Sequence, residues 1–98
     1  MKEDGPPMSL SYVLPVHNEE TVLEASLDRL ATGLAREPGA EILLVENGSR
    51  DRSWELCEAL AGTRAGVPVH AFREASAGLG HAYHRGLVEL VALHGPSP

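Results

Sequence analysis

Leu10-Ser11-Tyr12-Val13-Leu14-Pro15-Val16, followed at once by His17-Asn18-Glu19-Glu20, is the stretch whose reading decides the fold. The first seven residues form a nearly continuous apolar run, the pattern of a strand buried on both faces of a parallel sheet. Pro15 is expected to end that strand, because proline has no N–H for the ladder. From Glu20 the period changes: Leu23, Leu27, Leu30 and Leu34 recur at helical spacing, leave Glu24, Asp28 and Arg29 for solvent, and give way to Pro38-Gly39. A buried strand feeding an amphipathic helix is the first half of a βαβ unit.

The same alternation repeats downstream. Ile42 to Val45 is a second apolar run, and Glu46-Asn47-Gly48-Ser49 after it has turn chemistry, with Asn-Gly suited to positive φ. Asp51 or Ser53 is placed to cap a helix in which Trp54, Cys57 and Ala61 share a face, with Leu56 and Leu60 adjacent, and which ends at Gly62. Val67 to Phe72 reads as a third strand, with Pro68 at its beginning or on an exposed edge. A last helix starts near Gly80, aligns Tyr83, Leu87, Leu90, Val91 and His94 on one face, and stops at Gly95-Pro96. Strands alternating with helices imply right-handed crossovers and a helix-covered parallel sheet. The expected fold class is α/β: a three-layer parallel βαβαβα unit, Rossmann-like. It occupies residues 9–94, after a frayed start (1–8) and before a short tail (95–98).

Bulk properties narrow the partners. A chain of 98 residues is one small domain, and with Tyr12, Trp54, Phe72 and Tyr83 as its only aromatics the core must be aliphatic. The formal charge of −6 argues against nucleic acid, because no Lys/Arg cluster offsets it: Arg50, Arg52 and Arg64 are interrupted by Asp51, Glu55 and Glu58. Cys57 is the single cysteine, so an internal disulfide is excluded, and its apolar helix position marks it as core. Met1 to Met8 is charged and proline-bearing, unlike a signal peptide, and no apolar run has the length of a membrane span. A soluble, cytoplasmic chain is expected.

In open parallel sheets, ligands bind beyond the carboxyl ends of the strands, which here means Pro15–Glu20, Glu46–Asp51 and Arg73–Gly80. In the first loop the His17 ring is able to stack on a base and a carboxylate to accept a ribose hydroxyl. Asn18, Glu19 and Glu20 equally suit the positive end of a helix dipole, and both readings hold together. In the second loop the Asn47 amide has the donors and acceptor to read a uracil or guanine edge, while the segment also makes sense as a turn and helix cap. Gly78 and Gly80 allow backbone to approach a ligand closely. Gly78-Leu79-Gly80 lies after the wrong strand, and lacks the last glycine, for a dinucleotide fingerprint. His81 and His84 lie on adjacent helical turns with no third ligand indicated, so no metal site is assigned.

Taken in order, Leu14-Pro15-Val16-His17-Asn18-Glu19-Glu20, then Leu44-Val45-Glu46-Asn47-Gly48-Ser49-Arg50-Asp51, then Gly78-Leu79-Gly80-His81-Ala82 with Gly86-Leu87, resemble the family 2 glycosyltransferases of the GT-A fold, over roughly Ser9 to Val91. The branch most similar is that of the polyprenyl-phosphate (dolichol-phosphate type) sugar transferases. The resemblance implies a truncated GT-A domain whose nucleotide pocket is lined by Pro15, Val16, His17, Glu19, Glu46, Asn47, Gly48, Gly78 and Gly80. His17 would stand where the family often has a tyrosine against the base. Asn47 would stand where many members have an aspartate that bonds the base, and Glu46 replaces the aspartate before it; Ser76 takes the place of a common asparagine.

By the same resemblance the donor is a UDP- or GDP-linked sugar and the acceptor a lipid phosphate, glycan or other hydroxyl-bearing group. Complete members hold a divalent metal, Mg or Mn, on an Asp-x-Asp motif after the next strand, and their acceptor segment comes later still. Neither segment is present before Pro98, so no cofactor and no catalytic residue is assigned within this chain. Transfer by the chain alone is not expected, and either a missing catalytic half or a second copy is the expected protein partner. The alternative is a non-catalytic nucleotide-binding or protein-interaction module on a Rossmann-like scaffold.

Overall fold

The computed structural model describes residues 10–75 and 79–94. Its elements follow in the order β1 (Ser11–Val16), α1 (Leu23–Leu34), β2 (Glu41–Asn47), α2 (Ser53–Leu60), β3 (Gly62–Arg64), β4 (Val67–Glu74) and α3 (Leu79–His94). The strands form one sheet in the order β1-β2-β4-β3. β1 pairs parallel with β2 (Leu14 opposite Leu44) and β2 parallel with β4 (Leu44 opposite Ala71). The α/β class and the helix-covered parallel core stand as the sequence implies.

The sheet also contains a strand that the sequence reading lacks. α2 stops at Leu60, and Gly62–Arg64 runs antiparallel to β4. A two-residue turn at Ala65-Gly66, with φ of 49° and 81°, links the two strands. Positive φ at both central residues is the geometry that matches the twist of a hairpin. Alanine is an unusual choice there, which is why no hairpin signal stood out.

The register assigns the two faces. Leu14, Val16, Ile42, Leu44, Val67 and Val69 project toward α1 and α2, where they cluster with Leu23, Leu27, Ala31, Leu34, Cys57 and Leu60. Ile42, Leu44, Leu27 and Cys57 are wholly removed from solvent, and each buried leucine contributes roughly 2 kcal/mol. Burial also pushes the Cys57 thiol up to about 12, aided by the charges of Glu46 and Glu19, so it stays protonated and acts as core. On the other face Leu43 and Val45 lie under α3. A Cβ at Gly86 would sit 2.8 Å from both γ-methyls of Val13, so glycine sets how closely α3 approaches β1.

Two expectations need correction. Pro15 does not end β1: it pairs in register with Val45, and the strand runs on to Val16. The Leu10 carbonyl accepts the Glu41 N–H, so alternation turns the backbone groups of Ser11, Val13 and Pro15 to the open side, where a missing donor breaks no ladder bond. Nor is β1 buried on both faces; it is an edge strand, and Tyr12 is 43% exposed. Of the face that the sequence reading aligned on α3 without giving its direction, Tyr83, Leu87 and Val91 are exposed, Leu87 by 62%, and the helix packs through its small residues Ala82 and Gly86.

Candidate functional site

β1 and β2 lie side by side and end together, so the loops at their carboxyl ends meet. Asn18 takes left-handed backbone (φ 51°), which turns the chain sharply after β1. Its N–H donates to Ser49 Oγ (2.9 Å), and its Oδ1 accepts from the N–H groups of Arg50 (2.7 Å) and Asp51 (3.4 Å). The Glu19 N–H donates to Ser53 Oγ (2.8 Å), and the Glu20 N–H to Asp51 Oδ2 (3.2 Å). The acidic loop before α1 and the turn before α2 are thus one structure, stitched by short polar side chains onto backbone donors. Gly48, at φ 64°, supplies the bend in the second loop.

Asp51 anchors this seam. The Ser53 hydroxyl (2.6 Å), with the N–H groups of Ser53 and Glu20, holds its carboxyl below the usual aspartate range. It accepts the Ser53 N–H two residues on, so the cap read from sequence is an Asx turn just outside α2.

Among the residues read as nucleotide-binding, Pro15, Val16, His17, Glu19, Glu46, Asn47 and Gly48 come together here. His17 Nδ1 lies 2.5 Å from the Asn47 carbonyl oxygen, so the exposed imidazole is fixed across the mouth of β2. Glu19 stays local: its Oε1 accepts the His17 N–H at 3.4 Å. Val16 and Glu46 are fully buried and Asn47 nearly so. Glu46 is turned toward α2, where one oxygen accepts the Ser49 N–H and the other receives Arg73 Nε (3.0 Å). The Arg73 guanidinium lies 5.4 Å from the Trp54 ring centroid, a cation–π contact. Gly80 is an exposed position in the first turn of α3, and Gly78 lies outside the described residues.

Sequence reasoning missed Asn18, Ser49 and Arg73 as builders of this site. Only the carboxyl-end rule, which brings the two loops together, pointed toward them. Among the described residues no three histidine, cysteine, aspartate or glutamate side chains converge as a metal site.

The opposite end of β2 carries a second buried carboxylate. Glu41 accepts Ser11 Oγ (2.7 Å), His70 Nε2 (3.1 Å) and His94 Nε2 (2.6 Å), on the face covered by α3. Burial pushes this carboxyl up, but the Ser11 and His94 hydrogen bonds, with the neighbouring imidazoles, pull it down further, and it rests below the ordinary glutamate range.

The comparison with known proteins adds to this geometry. Glycosyl transferase family 2 matches residues 11–89, from the start of β1 into the last turns of α3. The chain belongs to that family. Within it, 53 residues are 49% identical to proteins described as undecaprenyl-phosphate 4-deoxy-4-formamido-L-arabinose transferase, from Pseudomonas aeruginosa strains LESB58, UCBPP-PA14 and PAO1. The match takes in 53% of this chain and 16% of each relative, so the chain spans a small part of those proteins. No solved structure matches it. No helix among the described residues is long and apolar enough to cross a membrane.

Proposed function

We propose that this chain carries the donor-nucleotide half of a cytoplasmic sugar transferase that takes a sugar from a UDP- or GDP-linked donor and delivers it to a lipid phosphate. The observation that carries this reading is the His17 ring fixed over the end of β2, beside Asn47 and the Gly48 bend. The ring offers a flat surface to a base at the point where parallel sheets take their ligands. Transfer breaks the bond between the sugar anomeric carbon and the diphosphate and forms one to the acceptor oxygen. None of the side chains described above is placed to serve as the base for that step. The base, the acceptor groove and a divalent metal, Mg or Mn, are supplied by segments outside this one.

Titration of the isotope-labelled chain with UDP- and GDP-sugars, with and without manganese, tests this by NMR. The resonances of His17, Asn47 and Gly48 shift if the site binds nucleotide; no shift at about millimolar ligand sinks the reading, since even that weak an affinity is only about 4 kcal/mol. Measurable sugar transfer by the purified chain would refute the assignment of chemistry to other segments.

A second reading, a partner-binding module without turnover, is favoured by a different surface. Among the described residues no strand pairs with the outer edge of β1, which adjoins exposed Tyr12, and α3 turns Leu87 and Val91 outward. Unpaired strand edges and apolar stripes invite another polypeptide, here the missing catalytic half or a second copy. A concentration-independent monomer in sedimentation would count against the second copy.

A further inference from the structure

The polar contacts around His17 decide which of its nitrogens carries the proton. The Arg50 and Asp51 N–H groups both point at Asn18 Oδ1, at 2.7 and 3.4 Å, and an amide nitrogen could accept from neither. These backbone donors settle the orientation of the amide, which leaves Asn18 Nδ2 facing His17 Nε2 at 3.2 Å. Nδ2 has only hydrogens to give, so Nε2 must meet it with a lone pair. On the other side of the ring, the Asn47 carbonyl has only lone pairs to give, so Nδ1 must carry the proton. Both nitrogens are thereby engaged in one tautomer, Nδ1–H, the opposite of the one a free histidine side chain favours in water.

We propose that Asn18 is a positioning residue for base recognition: it holds His17 as the Nδ1–H tautomer, so that the ring offers a ligand its π face and no hydrogen bond or proton. This rests on the nucleotide reading above and sharpens it. A ring with both nitrogens taken does not distinguish uracil from guanine by hydrogen bonding, so choice of base falls to other groups around the loop. It is equally unsuited to take a proton from an acceptor. Asn18 has two tasks on opposite sides of one amide, since its oxygen closes the seam between the loops and its nitrogen orients the ring.

The two tasks separate by substitution. Asn18→Asp keeps an oxygen for Arg50 and Asp51 but offers Nε2 no N–H. The ring nitrogens of the 15N-labelled full chain, observed at about pH 8, above the usual imidazole range, should report Nδ1–H with a bare Nε2 in wild type, and in Asn18→Asp a proton gained at Nε2 while Nδ1–H stays on the Asn47 carbonyl. The Arg50 and Asp51 amide signals should stay close to their wild-type positions. UDP should bind that variant about fivefold more weakly, the loss of one orienting hydrogen bond. His17→Phe, a π face that loses both orienting bonds, should bind UDP about tenfold more weakly than wild type, whereas His17→Ala, with no ring to stack, should lose at least about fiftyfold. A wild-type ring protonated on Nε2, an Nε2 still bare in Asn18→Asp, or His17→Phe binding no better than His17→Ala would overturn the proposal. If the ring nitrogens behave as stated while neither UDP nor GDP perturbs the wild-type ring, the lock stands and the base-facing role, with the nucleotide reading beneath it, falls.

Discussion

β2 ends in a buried glutamate on either side, and the two are treated differently. Glu46, at the carboxyl end, is fully enclosed on the α2 face and held by a backbone N–H and an arginine. Glu41, at the amino end, is 6% exposed on the α3 face and held by a serine and two histidines. Arginine is charged at any pH a protein survives, whereas imidazole is the side chain whose charge ordinarily changes between about pH 5 and 8. The end that carries the candidate site is therefore tied by a constant charge, and the end that anchors the tail of α3 by groups of changeable charge. The contrast teaches that the loops meant to hold a ligand are pinned independently of the helix packed over the other face.

Removing Arg73 tests the first half of that contrast and should have the largest effect. Arg73→Ala leaves the buried Glu46 carboxylate with the Ser49 N–H but no cation, and because Arg73 is itself half exposed the loss in denaturant unfolding should be about 2 kcal/mol. At the other end His94→Ala should cost only about 0.5–1 kcal/mol, because Ser11 and His70 still satisfy Glu41 and His94 is itself largely exposed. Equal losses from the two substitutions would abolish the distinction.

The pH dependence sharpens it further. Glu41 has its carboxyl pKa lowered on folding, so its contribution is full above the ordinary glutamate range and is lost as the pH falls through the lowered value. Glu41→Gln should therefore flatten the acid limb of a stability–pH curve while leaving UDP affinity at its wild-type value. A weakened UDP affinity would show that the two ends are coupled. Smallest of all, Ala65→Asn in the hairpin should raise stability by about 0.5 kcal/mol, since asparagine tolerates positive φ better than alanine. A fall in stability would mean that the turn is not held as described.

Much of this architecture was legible in the residues. The change from apolar runs to leucines at helical spacing located β1, α1 and β2, and the carboxyl-end rule located the loops that meet. What stayed hidden has physical causes. β3 is three residues long and its turn uses Ala65, so neither pattern nor turn chemistry announced it. The direction of the α3 stripe was not legible because apolar period identifies a stripe but not the way it faces. Ala82 and Gly86 take the sheet side since only small residues fit so close above Val13. Within the site, His17 and Asn47 were visible as chemistry. Asn18 was not, because its work consists of bonds to residues about thirty positions away that adjoin it only after folding.

Pro15 gives the sheet a sense of direction at its bare margin. Along that margin the N–H groups of Ser11 and Val13 point away from β2, with no strand beyond them among the described residues, and the next outward position, Pro15, has no N–H. A strand laid alongside would close like a zipper from the amino end of β1 and run out of teeth one residue short of Val16. The mouth beside His17 would remain unzipped, so that a neighbour could complete the sheet without sealing the opening through which a nucleotide must come and go.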